Sequence, residues 1–93
     1  MVWLFFLASC ASVQKPTQPM IYASAALKAA ERAQAETRAP DLFRRAESAY
    51  WEAKKFYLAK EFEEARKKAL EARRLAEEAE RAAELKEAES EGG

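Results

Sequence analysis

The sequence predicts an all-α fold: alanine-rich antiparallel helices, arranged as a hairpin or a three-helix bundle, behind a flexible lipidated N-terminus. Three observations carry that expectation. Alanine, the strongest helix former, supplies 22 of the 93 residues. Two glycines and three prolines leave too few turn formers for a sheet architecture. From Met20 onward, small and apolar residues recur at alternating steps of three and four, the period of one helix face.

Composition also bounds the chemistry. The length suits one small domain. Lys+Arg and Asp+Glu both number 16, so no global field recruits a nucleic acid or a charged substrate, and no nucleic-acid partner is expected. The absence of histidine removes the commonest general base and metal ligand.

The N-terminal segment is distinct because residues 1–14 carry no charge. Val2 to Ala8 is an unbroken apolar run, too short to span a bilayer and suited to the hydrophobic core of a signal peptide. It leads into Leu7-Ala8-Ser9-Cys10, which resembles the lipobox of bacterial lipoproteins: an aliphatic residue, two small residues and the cysteine that is acylated. Residues 1–9 are thus read as a signal peptide, and the lack of a basic n-region points to a leader truncated at its start. The resemblance implies a covalent lipid on Cys10; no other cofactor is expected. Triacylation at about 0.8 kcal/mol per buried methylene makes such an anchor effectively permanent. Ala11 and Ser12 stand where an aspartate would favour inner-membrane retention, so the implied location is the periplasmic face of the outer membrane. Residues 10–19 then form a lipidated tether, in which Pro16 and Pro19 favour extended backbone.

The helical domain is expected over residues 20–84. In the first helix, residues 20–38, Tyr22, Ala23, Ala26, Leu27, Ala29, Ala30 and Ala33 share a face, and Ala39-Pro40 ends it. Pro40 suits the first turn of the second helix, with Asp41 at its positive end. There Leu42, Ala46, Ala49, Tyr50, Ala53, Phe56 and Tyr57 make an apolar arc. Continuing that phase meets Lys60, Glu63 and Lys67, whereas a new stripe starts at Phe62 and runs through Ala65, Ala69, Ala72, Ala76, Ala79 and Ala83. A tight turn at Lys60-Glu61 accounts for the change of face; one continuous helix with a rotating face is the alternative. Residues 85–93 read as an acidic tail that frays.

Phe62-Glu63-Glu64-Ala65, with Ala69 and Ala72 after it and Ala53 and Phe56 before it, resembles a single helix pair of a tetratricopeptide array. Cys10, the alanines from Ala23 to Ala33, Ala39-Pro40, and Phe62-x-x-Ala65-x-x-x-Ala69 are similar to the small bacterial lipoproteins of the domain of unknown function 4398 family. That family joins its helices by a Gly-Asp-aromatic turn, where this chain has Lys60-Glu61-Phe62. The resemblance implies a helical lipoprotein and brings no activity or site residue with it.

No catalytic or metal-binding constellation emerges, so no enzyme activity is expected. The basic clusters Arg44-Arg45, Lys54-Lys55, Arg66-Lys67-Lys68 and Arg73-Arg74 interleave with glutamates, for example Glu63 with Lys67 and Glu64 with Lys68, and read as solvated ion-pair faces. Trp51 and Leu58 stand apart. They lie opposite Ala49 and Ala53 among charged residues, where either the first and third helices cover them or they are exposed as a partner-binding anchor. The expected function is a non-catalytic binding or scaffolding module with a protein or cell-wall partner. The alternative is a homo-oligomeric structural lipoprotein, self-associating through the seam from Ala65 to Ala83.

Overall fold

The computed structural model describes residues 15–92. The expected signal peptide and lipobox, Leu7, Ala8, Ser9 and Cys10 included, lie outside the described residues. Four helices follow in order: α1 (Thr17–Arg32), α2 (Ala35–Arg38), α3 (Pro40–Leu58) and α4 (Phe62–Gly92). The all-α class holds, and no strand occurs among the described residues.

α1 begins earlier than the expected Met20 and takes Thr17, Gln18 and Pro19 from the expected tether. Pro19 is tolerated because it sits in the first turn, where a backbone N–H has no helical acceptor. The expected single helix over residues 20–38 is in fact broken. α1 stops at Arg32, and Gln34 takes a left-handed φ of 62° while its N–H donates to the Glu31 carbonyl at 2.9 Å. The one-turn α2 follows. Ala39 then leaves the helical region, as a residue before proline must, and Pro40 opens α3 with Asp41 in its first turn.

The turn between α3 and α4 falls where the stripes change face. Lys60 adopts a φ of 63°. Its N–H donates to the Tyr57 carbonyl at 3.0 Å, and the Glu61 N–H reaches back to the Phe56 carbonyl at 2.8 Å. These two bonds are the paired closure of a Schellman cap, so two helices meet here rather than one continuing. The Tyr57 and Phe62 rings meet edge to face across the turn, with centroids 5.6 Å apart.

α4 is the spine. α1 runs parallel to it and α3 antiparallel; both lie along α4 and touch each other only sparsely. Ala23 of α1 and Ala46, Ala49 and Ala53 of α3 bury themselves against Ala69, Ala72, Leu75 and Ala76 of α4. A second cluster joins Ala30, Ala35 and Phe43 to Ala79 and Ala83. Single-carbon side chains let helix axes approach toward the short end of the usual 8–10 Å. This core occupies the Ala65–Ala83 seam within one chain, with every alanine of the stripe fully buried.

Two large core residues fall off the expected stripes: Phe43 and Leu75, each 2% exposed. Phe43 shares a three-four alternation with Ala46, Tyr50 and Ala53, parallel to the one led by Leu42, and α2 folds over it. The C-terminal end also departs from expectation. α4 continues helical to Gly92, where residues 85–93 were expected to fray. Extending an existing helix costs far less than nucleating one, and an ion pair from Arg38 to Glu87 at 3.2 Å ties the overhang to α2.

Lys60 pays a side-chain penalty for its left-handed backbone. Lys60→Gly should therefore raise the unfolding free energy by about 0.5–1 kcal/mol, read as a higher urea midpoint at unchanged slope. A lower midpoint would contradict the Schellman geometry.

Candidate functional site

α4 holds α1 and α3 by their alanine faces, so the two helices stand apart on their other side. Between them lies an open groove of about 540 Å³, lined by α1 and α3 alone. On α1, Met20, Ile21, Ser24 and Lys28 succeed one another at helical spacing along it. On α3 the lining residues are Tyr50, Lys54, Tyr57 and Leu58. The groove opens where alanine gives way to larger side chains, which cannot follow the close approach that the alanines allow.

Leu58 stands at one end of this groove and is 80% exposed; Trp51 lies beside it and is 60% exposed. Neither is covered by the first or the third helix, which corrects the covered alternative. The reason is the docking geometry: α1 and α4 both meet α3 on its alanine side, leaving the opposite face open. Trp51 is nevertheless held in place. Its ring meets Tyr50 edge to face at 6.3 Å, and the Lys54 ammonium lies 4.7 Å from the Trp51 centroid and 5.4 Å from that of Tyr50. Such stacking shields part of an aromatic surface without burying it.

Ile21 has no place in the sequence pattern, and Lys28 falls there on the charged face of the first helix. Ile21 is 57% exposed and falls one residue outside the alanine face, a position that only the neighbouring α3 makes part of a groove. Tyr22, expected on the buried face, is instead half exposed, with the Arg73 guanidinium 5.0 Å from its ring.

The basic clusters are paired at Arg44, Lys67, Lys68, Arg73 and Arg74, though not always as expected. Lys67 meets Glu64 rather than Glu63, at 3.7 Å. Lys68 bridges Glu52 of α3 at 3.6 Å and Glu71 at 3.5 Å rather than meeting Glu64. Arg73 and Arg74 hold Glu77 and Glu78 one turn on, at 3.2 and 3.1 Å. Glu71 first, then Glu52, holds the Lys68 ammonium above its ordinary value. A raised lysine stabilises the fold below its ordinary value and loses that contribution only as pH rises through the raised one, so the effect is constant around neutrality. Among the described residues, no three acidic or cysteine side chains gather to hold a metal ion, and no helix is long and apolar enough to cross a membrane. The chain matches no protein-family model, no curated protein and no solved structure.

Exposure makes Trp51 dispensable for folding. Trp51→Ala should change the unfolding free energy by no more than about 0.5 kcal/mol. A loss of about 3 kcal/mol, the scale of a truncated core aromatic, would mean that the ring is buried in solution.

Proposed function

We propose that this chain is a lipid-anchored, non-catalytic binding module of the bacterial cell envelope, held at the periplasmic face of the outer membrane. The observation that carries the reading is Leu7-Ala8-Ser9-Cys10, a lipobox-like sequence placed a few residues ahead of a helical bundle with exposed apolar side chains. Cys10 supplies the thiol for acylation, and the uncharged residues before it supply the leader. The similarity of Ala39-Pro40 and Phe62-x-x-Ala65-x-x-x-Ala69 to the domain of unknown function 4398 lipoproteins supports the same reading.

The division of labour is physical. The lipid fixes the molecule to a surface, and α1 follows Cys10 after a segment short enough to keep the bundle within about 25 Å of that surface. Leu58, Trp51 and Ile21, which contribute little to the core, remain for contact with a partner. Binding beside a membrane gains from the high local concentration that tethering gives.

Expressed in bacteria behind a lipoprotein leader, the wild-type chain should take up labelled palmitate and fractionate with the outer membrane. Cys10→Ala should take up none and leave that fraction. Wild-type protein without label would refute the anchor.

A further inference from the structure

We propose that the groove between α1 and α3 binds a single-chain anionic amphiphile, its acyl chain along Met20, Ile21, Tyr57 and Leu58 and its head at Lys28 and Lys54. The proposal rests on the binding-module part of the reading above and not on the anchor, since the groove belongs to the folded bundle alone.

Charge is the first observation. Among the described residues, the only ionic side chains lining the groove are two lysines, and no carboxylate lines it. Neither Lys28 nor Lys54 has a carboxylate within 4.0 Å among the described residues. Two unneutralised ammoniums beside an apolar trough favour a ligand that brings its own negative charge. The hydroxyls of Ser24 and Tyr50 lie in the same half of the groove and can donate to an acidic head.

Polarity along the groove is the second. α1 and α3 are antiparallel, so Met20 and Ile21 at the start of α1 face Tyr57 and Leu58 at the end of α3. Lys28 lies at the other end of the α1 lining, and Lys54 lies one turn in from Leu58. The groove therefore has an apolar end at Met20, Ile21, Tyr57 and Leu58 and carries its ammoniums farther in, an arrangement that suits an amphiphile. From Thr17 to Lys28 it extends about 16 Å, comparable to an extended acyl chain.

Size is the third. A volume of about 540 Å³ lies inside the range of small-molecule sites. A standard protein interface takes roughly 800 Å² from each partner, whereas this groove spans three turns of one helix and two of the other. The exposed Ile21 and Leu58 would be covered by the chain, which removes their apolar surface from water.

The test uses the full chain carrying Trp3→Phe, so that Trp51 alone reports through its contact with Lys54. It is titrated with dodecanoate below the micelle concentration, then with dodecyltrimethylammonium, which has the same tail and the opposite charge. Dodecanoate should shift Trp51 emission saturably and bind at least tenfold more tightly than the cationic amphiphile. Lys28→Glu with Lys54→Glu should weaken it at least tenfold while the circular dichroism is unchanged; if that pair unfolds the chain, Lys28→Gln with Lys54→Gln should weaken it in the same direction. Equal affinity for both head groups, no saturation, or binding untouched by the lysine changes would overturn the proposal. So would sedimentation showing a dimer that Leu58→Asp dissolves, which would make a second copy the occupant. None of these results bears on palmitate uptake at Cys10, so failure of the groove and failure of the anchor read out separately.

Discussion

Everything in this bundle depends on how closely two helices can approach a third. α4 presents a row of fully buried alanines, and α1 and α3 each bring alanines to meet it. Alanine contributes little apolar area per residue, so the gain comes from dense packing and from a helix that loses almost no side-chain entropy. Large side chains are correspondingly scarce in the core; Phe43 and Leu75 are the bulky exceptions. Close approach along one seam then dictates what lies opposite. Helices pinned together on their small faces must splay where their large residues begin, and the groove beside Tyr50, Tyr57 and Leu58 is that splay.

The same constraint explains why Trp51, Leu58 and Ile21 are exposed. In a bundle built around leucines, Trp51, Leu58 and Ile21 would be the natural core. Here the core is already filled by methyl groups, and the larger side chains are left on the solvent side. A surface of that kind has a cost in water unless something covers it. Lys54 partly shields Trp51, but nothing among the described residues covers Leu58. Structure and proposed function thus meet at a single point: the packing that stabilises the domain also produces its candidate contact face.

Much of this architecture is legible in the residues. The stripe from Ala65 to Ala83 is periodic enough to name each buried alanine of α4, and the phase shift between Phe56 and Phe62 locates the turn even without glycine. Trp51 and Leu58 stand out because they interrupt a charged face. Other features leave no comparable mark. The break at Gln34 has neither glycine nor proline beside it, and only the fold of α2 over the bundle end makes it favourable. Phe43 hides because two three-four alternations overlap on α3, one led by Leu42 and one by Phe43. The groove is a relation between two helices, so no pattern within either of them reveals it. The helical overhang past Leu85 is a matter of continued propensity and one tie to Arg38, where an acidic, glycine-ended segment reads as a tail.

The close-packed seam is open to a direct measurement: equilibrium urea unfolding of Ala72→Leu beside Ala88→Leu, the first at the centre of the seam and the second on the exposed overhang. Leucine adds apolar area at both sites, so a loosely packed core would gain stability at position 72. If the helices are held by methyl-to-backbone contact, Ala72→Leu lowers the unfolding free energy by about 1–3 kcal/mol, whereas Ala88→Leu leaves it within about 0.5 kcal/mol. A neutral or stabilising Ala72→Leu would contradict close packing as the basis of the fold.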